Sequence, residues 1–250
     1  MSVDLMKWLK GSPPLKNLYF VVGEESFFIR EIKRSFLKRV FRKKEMADFN
    51  YEEFDASHGS VDSLRAVVET FPIMADRRLV FCHSAQKFSE KDWGILMSVI
   101  EQPISSTVLV FFLDKIDKRK KHFKVLAKQG EELPAHSLRD WEVDPWIDFV
   151  VEKEGLKLTA PTKELFRQLV GLDLLEMGNE IQKLKSYMGE RSLVEESDIL
   201  AVISRTRVDS IFTFTDAVGR RDLACSLDSL ARLLENQQSV IGVLVLVARH

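Results

Sequence analysis

Metal and disulfide chemistry have little to work with in this sequence. Its two cysteines, Cys82 and Cys225, lie far apart with no C-x-x-C pair, and its five histidines (His58, His83, His122, His136, His250) have no ligand spacing. A zinc site or a disulfide framework is therefore not expected, and a reducing, cytoplasmic compartment fits. Charge of one sign is not in excess either. Lys+Arg 37 against Asp+Glu 38 leaves a net charge of -1, so no global basic field marks a nucleic-acid binder, and such a role must rest on local patches. Long apolar runs are missing as well. The longest, near 240–248, is far shorter than the ~20 residues that a membrane span needs. The N-terminal MSVDLMKWLKGSPPL lacks the sustained apolar stretch of a signal peptide. Fixed-period repeats and low-complexity tracts are absent, which sets aside solenoids and disordered tails.

What is present is ample core material: 250 residues, 45% hydrophobic and 30% charged, enough for two domains and part of a third. Leu18 to Val22 (LYFVV) is a short apolar run that ends at Gly23 and passes into a helical pattern at Phe28, Ile32, Phe36 and Val40. A second strand is expected around Tyr51 to Phe54. Ser60 then caps a helix with Val61, Leu64, Val67, Val68 and Phe71 on one face, stopped by Pro72. RLVFC (78–82) and TVLVFFL (107–113) read as two more buried strands, with a helix containing Trp93, Leu96, Met97 and Ile100 between them. Strands apolar on both faces and alternating with helices predict a parallel α/β sheet. After Trp141 the pattern becomes helical, with Asp144-Pro145 as a helix start and breaks at Gly155, Gly171 and Gly189. The expected domains are 1–140, α/β; 141–208, a small helical bundle; and 209–250, the beginning of a further helical domain that the chain does not complete.

A strand ending in glycine and feeding a helix is where a P-loop would sit, because exposed N–H groups and the helix dipole attract phosphate there. The residues refuse that role. In Gly23-Glu24-Glu25-Ser26-Phe27-Phe28-Ile29-Arg30, Phe28 replaces the second glycine, Ile29 the phosphate lysine and Arg30 the magnesium hydroxyl. Glu24 and Glu25 also put two carboxylates where a triphosphate would lie. RLVFC leads to His83 and Ser84 instead of an acidic pair. ATP hydrolysis and bound cofactors or metals are therefore not expected.

Taken in order, LYFVVGEESFFIREI, FNYEEFDAS, ETFPIMADRRLVF, STVLVFFLDKIDKRKK, and GLDLLEMGNEIQKLKSY with VEESDILAVIS resemble the delta-subunit family of bacterial DNA polymerase III clamp loaders. The resemblance covers nearly the whole chain. It implies an AAA+-like α/β domain with a parallel sheet, a small all-α lid domain and the start of an all-α collar. The implied function is that of a non-catalytic subunit that binds the ring-shaped sliding clamp and opens one of its interfaces, so that the clamp is loaded on primed DNA. The implied partners are the clamp and the other loader subunits, the ATPase subunits and delta prime, in a hetero-pentamer, with primed DNA reached through the complex.

The family's clamp-binding pair falls on Ile73 and Met74, supported by Phe71 and Pro72, with Met74 standing where the family frequently carries an aromatic. By residue chemistry alone such a pair is either an apolar tip, for which Met is well adapted, or core folded under the sheet, the commoner fate. The resemblance favours the tip. Leu174 stands where active AAA+ relatives carry a sensor arginine, although a core leucine at the start of a helix is a compatible reading. Two basic clusters remain. One runs from Arg30 to Lys44 along the first helix; the other includes Lys118, Arg119, Lys120 and Lys121. Charge runs are more often solvated faces than nucleic-acid sites, and few aromatics interleave here for base stacking. An unusual ATPase and a stand-alone basic DNA-binding module are the alternative functions.

Overall fold

The structure, a computed structural model, describes residues 2–11, 13–41, 43–203 and 213–235. The chain divides into two compact units, Met1–Leu138 and Arg139–His250. In chain order the first contains α1 (Ser2–Leu9), β1 (Leu18–Val22), α2 (Ser26–Val40), α3 (Ala47–Asn50), β2 (Tyr51–Asp55), α4 (Val61–Glu69), β3 (Arg78–His83), α5 (Glu90–Glu101), β4 (Thr107–Leu113), α6 (Lys121–Gln129) and β5 (Glu131–Pro134).

All five strands run parallel in the order β2-β3-β4-β1-β5. β1, β3 and β4 are inner strands, covered on both faces, so their sequences are nearly unbroken apolar runs. On one face Leu18, Phe20, Val80, Leu109 and Phe111 pack against Leu64 and Val68 of α4, Trp93, Leu96 and Ile100 of α5, and Phe123 and Leu126 of α6. On the other face the alternate residues meet α1 and α2 through rings. Trp8, Tyr19, Phe36 and Phe81 form a chain of tilted and edge-on contacts with centroids 4.7 to 5.9 Å apart, and each such ring contributes roughly 2–3 kcal/mol by leaving water. This is the expected α/β class.

Two local expectations are corrected. α4 ends at Glu69 with Thr70 as its C-cap, so Phe71 is not on the helix's apolar face; it lies beyond the helix and is exposed. The physical reason is that the residue before a proline is driven out of helical geometry. In the second unit, Asp144-Pro145 does not start a helix. α7 spans Asp140–Lys153 with Pro145 inside it, one turn in, where the missing N–H forgoes only the bond to the Trp141 carbonyl.

The second unit continues with β6 (Lys157–Leu158), α8 (Ala160–Val170), α9 (Leu174–Met188), β7 (Leu193–Val194) and α10 (Glu196–Val202). β6 and β7 form a two-residue parallel pair, a small addition to a unit read from sequence as helical. Trp146, Ile147, Phe166, Leu169, Ile181, Leu184 and Ile199 are buried in it. Helices follow at 213–219 and Leu223–Glu235. The expected boundary near 209 lies outside the described residues, as does the apolar stretch 240–248.

Candidate functional site

Two loops of the first unit carry the residues singled out above, and they lie at opposite ends of the parallel strands. The first follows the C-terminal end of β1. Gly23 has φ 131°, a backbone conformation that glycine tolerates and other residues rarely adopt. It is also crowded, because a Cβ there would sit 2.1 Å from the carbonyl oxygen of Ala135. The chain leaving β5 thus runs directly over this turn. The Gly23 N–H donates to Leu113 C=O at 2.9 Å and the Glu25 N–H to Ala135 C=O at 2.8 Å. These two N–H groups of the turn are thus engaged by the end of β4 and by the residue that follows β5, not left open to an anion.

The start of α2 is occupied in the same internal way. Glu25 is its N-cap and accepts from the Phe27 N–H at 3.3 Å through its carboxylate, which also accepts from Ser137 Oγ at 3.2 Å. Phe28 is buried, and the Arg30 guanidinium lies over the Phe27 ring at 5.1 Å. The cleft beside Gly23 is bordered by Glu24, Asp114 and Glu132 as well as Lys115 and Lys118, and Lys118 is drawn to Glu132 at 3.1 Å. At the end of β3, burial pushes the His83 imidazole below its ordinary pKa, so the place of a magnesium-holding acidic pair is taken by a ring that stays neutral near pH 7. Leu174, in the second unit, is the first residue of α9 and is buried, behind an Asp173 side chain that accepts from the Glu176 N–H at 2.8 Å.

The second loop precedes the N-terminal end of β3. Phe71 is 78% exposed, Ile73 55% and Met74 91%. The alternative of core burial is therefore not what the structure adopts: three apolar side chains stand in solvent around Pro72. Their backbone is nevertheless held. Thr70 Oγ1 donates to Ala66 C=O at 2.8 Å. Arg77 Nη1 donates to Leu15 C=O at 3.2 Å, and buried Arg78 pairs with Glu52 at 2.6 Å and donates to Phe49 C=O at 3.4 Å. Between these anchors Met74 has φ 54°, uncommon for a residue with a side chain. A further anchor was not singled out from the sequence: the side chain of Asn50, at the end of α3, bonds both the N–H and the C=O of Ile73. Its neighbour Phe49 is exposed. The only sequence signal was a short polar side chain directly ahead of a strand, which does not reveal a partner in a distant loop.

The second basic cluster is largely matched by carboxylates. Arg119 pairs with Asp117 at 2.9 Å and Lys120 with Glu90 at 2.7 Å, in addition to Lys118 with Glu132. Lys121, the first residue of α6, is exposed. Along α2, Lys33 pairs with Glu53 at 3.1 Å, and Arg39 bonds the carbonyls of Trp8 and Pro13. Each of these paired cations is engaged on the fold's own surface.

Comparison with known proteins follows the same architecture. Residues 19–136 match the family described as DNA polymerase III, delta subunit. The DNA polymerase III subunit delta of Bacillus subtilis is 28% identical over 260 aligned positions, spanning 100% of this chain and 74% of that protein. A probable DNA polymerase III subunit delta of Aquifex aeolicus is 21% identical over 234 positions, 89% of this chain and 65% of that protein. The solved structure of the Bacillus subtilis DNA clamp loader delta protein superposes with a TM-score of 0.76 at 27% identity, covering 100% of this chain and 76% of that one.

Proposed function

We propose, for a chain that belongs to the DNA polymerase III delta-subunit family, that its part in clamp loading is non-catalytic: it grips the sliding clamp through Ile73 and Met74 and opens one of its interfaces. The observation that carries this reading is the exposed apolar tip on an anchored backbone. Solvated apolar side chains cost free energy until a hydrophobic pocket covers them, and a Met beside a branched Ile adapts to such a pocket. Phe71 and Pro72 form the rim of the same contact.

No bond chemistry is needed for opening. A ring that interconverts between closed and open forms is shifted toward the open one by whatever free energy the subunit gains from that form over the closed one. Roughly 3–5 kcal/mol of difference moves a rare state to a dominant one. The α/β unit acts as a rigid mount. Residues 141–208 act as the lid, and the region from 209 onward belongs to the collar that joins a ring with ATPase subunits and delta prime. ATP is handled by those partners, which accords with the internally bonded turn at Gly23 and Glu25. Primed DNA is reached through the assembled complex, in the cytoplasm. A stand-alone DNA-binding module gains no support from cations already matched to Asp117, Glu90 and Glu132.

The test is a calorimetric titration of this chain into the sliding clamp of its own organism, with Ile73→Ala/Met74→Ala as the paired control. Binding by the unmutated chain that disappears in the double variant, with circular dichroism unchanged, is the expected result. An unmutated chain that does not bind the clamp overturns the reading.

A further inference from the structure

We propose that Asn50 is the positioning residue of the clamp contact, an inference that rests on the function proposed above. The Asn50 side chain is fully buried and pairs in both directions with the backbone of one residue of the loop. The Ile73 N–H donates to Asn50 Oδ1 at 2.6 Å, and Asn50 Nδ2 donates to Ile73 C=O at 2.8 Å. A side-chain amide here reproduces the two-bond exchange that facing residues make in an antiparallel ladder. Nδ2 also donates to Met46 C=O at 2.8 Å, so one planar group ties the loop to the turn leading into α3.

Few side chains can do this. Aspartate has the reach but no donor, and would set a carboxylate against the carbonyls of Met46 and Ile73. Leucine has the shape without the polar atoms, and glutamine has the amide on a stem one methylene too long. Removing the amide leaves the Ile73 N–H and C=O without these partners in a poorly hydrated place.

The functional consequence follows from exposure. Because Met74 is almost wholly exposed and Ile73 more than half so, their side chains provide little packing to hold the loop in shape. The backbone at Met74, with φ 54°, persists only if its surroundings determine it. Asn50 fixes the peptide just before it, while Arg77 and Arg78 fix the chain just after. A loop ordered before it meets its partner loses less entropy on binding. Asn50 therefore raises affinity without touching the clamp.

The test compares the unmutated chain, Asn50→Ala, Ile73→Ala and the Asn50→Ala/Ile73→Ala double variant by calorimetric titration into the sliding clamp, together with amide exchange of the free proteins. Loss of the two hydrogen bonds to Ile73, with that to Met46, predicts a roughly tenfold or larger weakening for Asn50→Ala. The same substitution should weaken the Ile73→Ala chain less, because part of what Asn50 positions is then gone. The Ile73 amide should be protected in the unmutated chain and exchange at least roughly tenfold faster in Asn50→Ala, while the amides of Leu79 to Cys82 stay protected. General destabilisation would not confine its effect to the loop. Affinity within about twofold of the unmutated chain, or an Ile73 amide unprotected in the unmutated chain, overturns the inference while clamp binding itself stands. Absence of clamp binding by the unmutated chain overturns the function and this role together. Should Asn50→Ala fail to fold, Asn50→Gln takes its place in the titration, and the exchange of Ile73 in the unmutated chain decides.

Discussion

At the C-terminal end of β1 the N–H groups of Gly23 and Glu25 are bonded to the end of β4 and to the residue after β5, and a carboxylate caps α2, whereas before the N-terminal end of β3 three apolar side chains around Pro72 are turned out to water. Both loops hang from the same parallel sheet, and in both the backbone is tightly held. The difference is in what each leaves available. The turn after β1 engages the N–H groups of Gly23 and Glu25 internally and borders its cleft with Glu24, Asp114 and Glu132 as well as Lys115 and Lys118, so three carboxylates oppose an anionic ligand there. The loop before β3 leaves apolar area uncovered, which only another apolar surface can satisfy. An architecture in which a nucleotide would be held at one end of the sheet here leaves an exposed apolar tip at the other.

That contrast breaks most directly at Gly23. Gly23→Ala should cost ~4 kcal/mol of stability, because the new Cβ meets the Ala135 carbonyl and the φ of 131° disfavours any side chain. Chemical denaturation measures it, and a loss below ~1 kcal/mol would mean that the turn is not closed as described. The opposite signature belongs to the other loop. Ile73→Ala/Met74→Ala should leave stability within ~0.5 kcal/mol, since neither side chain is in the core, yet cost clamp binding ~3 kcal/mol, about a hundredfold. One end of the sheet thus reads out in folding and the other in binding.

The inner strands were legible from sequence for a physical reason. β1 and β4 are covered on both faces and therefore appear as unbroken apolar runs whose ends match Leu18–Val22 and Thr107–Leu113. β5, with the sequence EELP, was not recognisable, because it pairs only with β1 and its half-exposed edge admits two glutamates and a terminal proline. Phe71 was assigned to the face of α4 because the 3.6-residue pattern continues through it, and the pattern carries no trace of the constraint that Pro72 imposes on its predecessor. Periodicity could not decide whether Ile73 and Met74 were tip or core. Asn50 lay beyond reach altogether, since its partner is 23 positions away in sequence.

Two smaller effects sharpen the account of the β1 end. Glu25→Ala removes the N-cap acceptor of α2 and the partner of Ser137, and should cost ~1 kcal/mol, again by denaturation. It should not confer magnesium-ATP binding, because the bonds from Gly23 and Glu25 to Leu113 and Ala135 are made by the backbone and survive. Calorimetric detection of ATP binding by this variant would break the comparison at its base.

The smallest effect concerns the charged loop that leads from Asp114 toward α6. There the Asp117 carboxyl is held down to about 2, chiefly by hydrogen bonds from the Arg119 side chain and then from the Arg119 backbone N–H. A carboxyl with a depressed folded-state pKa contributes stability that is present above its ordinary value and is lost as the pH falls through the folded one. Asp117 therefore stays ionised throughout the physiological range and down past pH 4, and Arg119 is matched over the same span. In Arg119→Ala the carboxyl loses its largest partner, and its titration midpoint, followed by carboxyl-carbon NMR, should rise toward the ordinary value of about 3.9. Because the pair is exposed, added salt should produce part of the same rise in the unmutated chain. A midpoint that does not move in Arg119→Ala would mean that Arg119 is not committed to Asp117 and is available to phosphate.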